Sequence, residues 1–362
     1  MKSLHFVKRC VLSTAMASIV SLFLFATCFN LSNVSSLYET NSFFSSFNIS
    51  SVKTAMNFAK ENNQSTPPPP PSLPRFAYLV SGSKGDLNKL WRTLQALYHP
   101  WNYYVLHLDL ESPPQERMEL VSRVENDPVF AAVGNVYVIL KANMVTYTGP
   151  TMVSNTLHAC AILLKRNKDW DWFINLSASD YPLVTQDDLI FAFRDLNRDL
   201  NFIEHTSNLG WKMNKRAMPL MVDPGLYQNK KSNILWVEPK RELPTSFKLF
   251  TVVNHDMHYI SWDTPPKQHP RVITINDTTK MTASGVPFAR KFKQDTLVLD
   301  RIDEELLHRP NGSFTPGGWC KGDPKCTKVG PTQIEPGVGG QRLSQFISKL
   351  LEQPKFNESQ CR

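Results

Sequence analysis

From Arg75 onward, short apolar runs alternate with amphipathic stretches, and this alternation restricts the fold more than any other feature of the chain. Phe76–Ser81 (FAYLVS), Tyr103–Asp109 (YYVLHLD), Val136–Leu140, Phe173–Leu176 and Asn201–Glu204 each have the length and apolar content of a buried strand. Asp86 is placed to cap a helix in which Leu87, Leu90, Trp91, Leu94 and Leu97 share one face. Residues 115–126, 151–165 and Asp187–Asn197 suit further helices. A helix between two strands carries the chain back across the sheet, so such strands pair in parallel and both sheet faces are covered. The expected class is therefore α/β, with a Rossmann-like half. Beyond Trp211 the chain turns polar and Pro-rich, and only a strand at Ile234–Val237 and helices near 297–307 and 341–351 are legible.

The first 74 residues cannot belong to that core. Lys2, Lys8 and Arg9 precede Cys10–Leu31, a run without charge, and the next charge is Glu39. This is about the 20 residues a helix needs to cross a bilayer. Cations on one flank only place the N-terminus in the cytoplasm. A cleaved signal peptide is the alternative, but the run exceeds the usual apolar length of about 7–15 residues and no clean A-x-A site follows. The expected layout is a cytoplasmic tail (1–9), a transmembrane signal anchor (10–31), a Ser/Asn/Pro-rich stem (32–74) and a lumenal domain (75–362). Ser65-Thr66 and the run Pro67–Pro71 would stiffen the stem as polyproline. Cys160, Cys320, Cys326 and Cys361 fall in the lumenal part. Cys320 and Cys326 could close a local loop, but spacing leaves the pairing open. Of the N-x-S/T sequons, Asn276 and Asn311 are the expected glycosylation sites, and Asn175 lies in a strand pattern.

A net charge of +8 suits acidic ligands such as phosphates or uronic acids, while the scattered Lys and Arg exclude a nucleic-acid stripe. Ligands of parallel α/β sheets bind beyond the carboxyl ends of the strands. That rule selects Ser81–Gly85, His107–Asp109, Thr146–Thr148 and Ser177–Asp180. Asp109 could hydrogen-bond a ribose or a base, or simply cap its own turn. Gly82 and Gly85 do not make a dinucleotide fingerprint, and neither a P-loop nor a serine nucleophile elbow occurs. Asp169-Trp170-Asp171 has the D-x-D form that holds a metal on a nucleotide-sugar diphosphate. It precedes its strand, however, on the wrong side of the sheet for a ligand, and no metal is assigned. Pro287–Phe292 (PFARKF) sets Arg290 and Lys291 between aromatics; spacing alone favours an ordinary basic turn.

These stretches resemble glycosyltransferase family 14, the core-2/I-branching acetylglucosaminyltransferase group, and most closely its plant branch. The resemblance is carried by FAYLVSGSKGD, LYHPWNYYVLHLD, DWDWFINLSASDYPL, NFIEHTSNLGWK, VNHDMHYISWDTPPKQHPR and PFARKF, which span most of residues 75–320. It implies a GT-A fold in the Golgi lumen on a type II single-pass anchor, a UDP-sugar donor, and inversion at the anomeric carbon without metal or other cofactor. The implied reaction moves glucuronic acid to β-galactan chains of arabinogalactan proteins. Alternatives are a UDP-N-acetylglucosamine branching transferase and a non-catalytic binding protein. By position, Val80, Asp109, Thr146, Tyr147 and Thr148 are similar to nucleoside-binding residues. Arg290 and Lys291 are similar to the cations that replace a metal at the diphosphate, with Arg271 assisting. Glu204, Lys212 and Trp262 are similar to the acceptor side.

One departure stands against these matches. In the family, a Gly-Ser-x-Trp strand and a Ser-Pro-Glu segment, whose Glu is the general base, lie between the stretch matching ELPTSFKLF and the stretch matching VNHD. Here Phe250 runs directly into Thr251-Val252-Val253-Asn254-His255-Asp256. An internally shortened domain without the family base is the expectation, and transfer by this chain should be poor.

Overall fold

The computed structural model describes residues 73–204, 210, 220–227, 235–238, 251–265, 267, 269–310, 312–321, 326, 328–330 and 333–352. The predicted anchor, nearly all of the stem, Lys212 and Asn311 lie outside these. Among the described residues no helix is long and apolar enough to cross a membrane.

The expected parallel sheet is present, with strand order β3-β2-β1-β4. Its strands are β1 (Phe76–Gly82), β2 (Tyr103–Leu108), β3 (Val136–Val138) and β4 (Trp172–Ser177). β1 lies between β2 and β4, in register Val80↔Leu106 and Val80↔Leu176. Side chains alternate across a strand, so a central strand covered on both faces must be apolar throughout. Phe76, Tyr78 and Val80 enter the larger core with Leu90 and Leu94 of α1 (Leu87–Leu97). Ala77 and Leu79 face the other way, toward Ala159 and Leu163 of α4 (Pro150–Arg166).

Two local details differ from expectation. Asp86 stands at the N-cap of α1 but does not cap it. Its carboxylate instead accepts from Ser83 N–H at 2.9 Å and pairs with Lys89. Between α2 (Pro114–Asn126) and β3 lies a short helix that periodicity does not reveal, α3 (Pro128–Val133). It is written in its ends: Asp127 accepts from Val129 and Phe130 N–H, Pro128 occupies the first turn, and Gly134 closes it at φ 71°.

After β4 the chain turns at Ser177–Asp180 into β5 (Asp180–Pro182), then α5 (Gln186–Phe193) and β6 (Leu200–Phe202). Strand β7 (Leu220–Val222) pairs antiparallel with β8 (Leu235–Glu238). Immediately past the Phe250–Thr251 junction, β9 (Thr251–Val253) pairs in parallel with β6 and buries Val252 and Val253. A second sheet joins β5 to β11 (Phe288–Arg290) and β10 (His258–Ile260). The remainder comprises α6 (Thr278–Ala283), α7 (Leu297–Glu305), the hairpin β12–β13 (Cys320–Lys321, Lys328–Val329) and α8 (Val338–Leu351), which packs on α5. Cys320 and Cys326 form a disulfide, which resolves the pairing that spacing left open.

Candidate active site

The ends of β1, β2 and β4 converge at the carboxyl edge of the parallel sheet. Asp109 N–H donates to Gly82 O at 2.9 Å and Ala178 N–H to Ser81 O at 2.7 Å. A Cβ on Gly82 would stand 3.0 Å from Asp86 Cβ and 3.1 Å from Leu108 Cδ2, so glycine lets the strand ends meet. Val80 has its side chain wholly buried in the core, where it builds the floor of this edge and leaves only its main chain to meet a nucleoside. Asp109 is also buried, and both its oxygens are engaged by main-chain donors. Oδ1 accepts from Glu111 N–H and Oδ2 from Val145 N–H, each at 2.8 Å. Its observed role is the second of the two options, capping its own turn, and it also fastens the Asn143–Gly149 loop.

That loop carries the remaining predicted nucleoside residues. Thr146 is buried, while Tyr147 is 52% exposed and Thr148, at φ 63°, is exposed as well. Tyr147 and Thr148 are therefore the two predicted side chains of this loop that reach the surface. Tyr147 Oη lies 3.4 Å from His269 Nδ1 with ring centroids 5.3 Å apart, which joins the loop to the segment bearing Arg271. From below, His107 Nε2 accepts from Asn143 N–H at 3.1 Å. Burial pulls His107 down to about 4, so it stays neutral and able to accept.

Sequence reasoning missed Asp223, which follows β7 and reaches the same loop. Its Oδ2 accepts from Thr151 N–H at 2.9 Å and from Thr151 Oγ1 at 2.7 Å, and Oδ1 accepts from Gly225 N–H at 2.8 Å. Burial opposes its ionised form, but the bonds from Thr151, Thr146 and Gly225 prevail and hold its carboxyl below the usual range. The only sequence signal is Asp-Pro-Gly after an apolar triplet, which reads as a turn.

The predicted phosphate cations come from the second sheet. In β11, Arg290 lies opposite Asp180 of β5, and Phe292 N–H donates to Ser179 O at 2.9 Å. PFARKF is thereby fixed to the turn that ends β4. Arg290 Nε is 3.3 Å from the buried Asp180 Oδ1 but out of line for a hydrogen bond, so the pair orients the guanidinium without saturating it. Lys291 is half-buried and makes no ion pair among the described residues. Arg271 stands behind the pair. Its guanidinium is committed to both oxygens of Asp277, at 3.2 and 2.5 Å, and to Ser261 Oγ at 2.7 Å. It braces the loop whose Ile273 N–H donates to Lys291 O at 2.9 Å, and so supports the cation pair from behind.

On the acceptor side, Trp262 is 47% exposed beside Ser261, and Glu204 is exposed where β6 ends. Among the described residues, neither has a hydrogen bond or ion pair to the loop or the cations. The D-x-D pair stands at the opposite, amino edge of the sheet, as its place before β4 predicts. Asp169 is held by the Arg75 guanidinium and by Tyr103 Oη at 2.9 Å. Asp171 accepts from Arg75 N–H at 2.8 Å and pairs with Arg198 at 3.1 Å. Asn276 is exposed in a helical turn, and Asn175 is exposed on β4, donating to Thr156 at 3.3 Å.

Comparison with known proteins agrees with the resemblance. Residues 76–252 match the family model "Core-2/I-Branching enzyme". The chain is similar to β-glucuronosyltransferase GlcAT14A of Arabidopsis thaliana, 49% identical with 81% of this chain and 79% of the relative covered. GlcAT14B of the same plant is also 49% identical, with 80% of each covered. GlcAT14C is 42% identical, with 80% of this chain and 86% of the relative covered. The first alignment runs over 352 positions, whereas 81% of the 362-residue chain is about 293 residues, so about 59 positions of the relative have no counterpart here. With its mixed α/β fold and parallel sheet, the chain belongs to the Core-2/I-branching enzyme family, glycosyltransferase family 14.

Proposed function

We propose that this chain derives from a GT-A-type inverting glucuronosyltransferase that takes UDP-glucuronate to galactan chains of arabinogalactan proteins without a metal. The observation that carries the reading is the attachment of Arg290 and Lys291 to the Ser177–Asp180 turn at the ligand edge. A UDP leaving group gains negative charge as its bond to the sugar breaks, and fixed cations stabilise that charge as a metal would. In this arrangement Tyr147 and Thr148 face the nucleoside, Asp109 holds their loop, and Arg290 and Lys291 face the diphosphate. Trp262, Glu204 and Lys212 belong to the acceptor side. The full chain should sit in the Golgi membrane as a type II protein on the 10–31 anchor, with glycans at Asn276 and Asn311. Glycosidase-sensitive chains that remain with membranes after a carbonate wash support this topology, and a soluble processed form as the main product contradicts it.

We assign the positions without counterpart to a segment lost at the Phe250–Thr251 junction; their number and the end of the family match at residue 252 support that reading. Without the carboxylate that removes the acceptor's proton, the chain keeps donor binding and loses most transfer. The test is calorimetry with UDP in the presence of a chelator. Binding should persist, and Arg290→Ala/Lys291→Ala should weaken it at least tenfold, since a charge-assisted contact contributes about 1.5–3 kcal/mol. Binding that needs manganese and ignores the double substitution overturns the reading.

A further inference from the structure

We infer that Asp223 is a positioning residue of the donor site, a buried carboxylate that sets the Thr146–Gly149 turn and the first turn of α4. The inference rests on the donor reading above, because that turn carries Tyr147 and Thr148. Asp223 is 1% exposed, and its carboxylate oxygens accept from Thr151 N–H, Thr151 Oγ1 and Gly225 N–H, with the Thr146 hydroxyl also against them. Thr151 Oγ1 spends its proton on Asp223 and so accepts from Thr146 N–H, at 2.8 Å. One carboxylate therefore reaches the turn through a two-bond relay and also satisfies an N–H at the start of α4, where negative charge is favoured.

The neighbouring glycines fit this role. A Cβ at Gly149 would lie 2.2 Å from Asp223 Oδ2, and one at Gly225 would lie 2.8 Å from Thr146 Oγ1. The backbone has closed onto the carboxylate from both sides, with no space for a side chain at either position. Asparagine keeps the shape of Asp223 but not its two acceptor oxygens. Its amide group would aim N–H either at Gly225 N–H or at the two Thr151 donors. Asp223 and Asp109 thus grip the loop at its two ends, Val145 and Thr151, and leave Tyr147 and Thr148 projecting between them.

The experiment pairs amide exchange with UDP calorimetry on the full chain in detergent. Asp223→Asn should speed exchange across Val145–Thr151 at least tenfold, leave β1 unchanged and weaken UDP about tenfold. Thr151→Val should do the same, while Thr151→Ser, which keeps the hydroxyl, should behave as wild type. Gly149→Ala should mimic Asp223→Ala, and the two combined should be no worse than Asp223→Ala alone, because removing the carboxylate makes room for the methyl. Unchanged exchange in the loop of Asp223→Asn overturns the inference. So does a loss of UDP affinity that only tracks faster exchange in β1. If the wild-type chain binds no UDP, the donor reading fails by itself, and the exchange measurements still decide whether Asp223 sets the turn.

Discussion

The two ends of the parallel sheet use the same residue types to opposite ends. At the amino edge Asp169 and Asp171 meet Arg75 and Arg198, and the charges are spent on one another. Arg75 and Arg198 also lie over the rings of Trp101 and Trp172, 4.9 and 4.7 Å from their centroids. At the carboxyl edge the acids work differently. Asp109 and Asp223 bind main-chain donors, and Asp180 stands beside Arg290 without quenching it. One end is neutralised and structural; the other has backbone fixed by buried carboxylates and cations left with capacity for a ligand. A motif such as D-x-D identifies chemistry only together with the edge on which the chain places it.

The largest expected effect tests whether the carboxyl edge lacks only its base. Inserting the relative's segment between Phe250 and Thr251 should raise transfer from UDP-glucuronate to a β-galactan acceptor by about 10²–10⁴-fold, the usual contribution of a general base. UDP affinity in a chelator should change little, because the cations and the loop lie elsewhere. Transfer by the unmodified chain at a rate comparable to the restored one would show that another carboxylate serves, with Glu238 and Glu242, the acids nearest before the junction in sequence, the first to substitute.

Acid should separate the edges next. His107 is buried under the Asn143 loop and lowered from 6.5 to about 4, first by burial. Between those values the unfolded chain binds a proton that the folded chain does not. Its contribution is therefore complete above pH 6.5 and lost as pH falls toward 4, on the order of 3 kcal/mol in all. Protection factors, corrected for the slower intrinsic exchange in acid, should fall at Asn143–Val145 across that window while those of residues 169–172 hold. His107→Gln, with an acceptor that does not titrate, should flatten the dependence; an equally steep loss in that variant assigns it to other groups.

Much of this was legible, and the rest has physical reasons. The four parallel strands and their helices were readable because a doubly covered sheet demands continuous apolar runs, as in Phe76–Val80. β10 and β11 were not, since their three residues include His258 and Arg290 and belong to no longer apolar run, unlike the equally short β3 within Val136–Leu140. Arg271 was read toward the diphosphate because its partner Asp277 hides inside a sequon. Asp223 was invisible because its partner Thr151 lies 72 residues away, and only the fold brings them together. Val80 was matched by position, and position does not say which face of a central strand a side chain takes.

The smallest expected effect probes the contrast most directly. Asp169→Asn/Asp171→Asn removes both acids of the amino edge while keeping their shape. Asp169 is half-exposed, at 55%, and such pairs contribute only about 0–1 kcal/mol. Asp171 is more enclosed and also accepts from Arg75 N–H, so its loss adds about 1 kcal/mol. The double variant should therefore melt slightly earlier yet bind UDP as wild type, with or without manganese. Arg75→Ala should reproduce only the smaller, Asp169 part of the thermal effect, because Asp171 keeps the residue-75 N–H and Arg198 as partners. A collapse of UDP binding with little loss of stability would reverse the comparison, making the amino edge the ligand edge and the Asp169–Asp171 pair its metal holder.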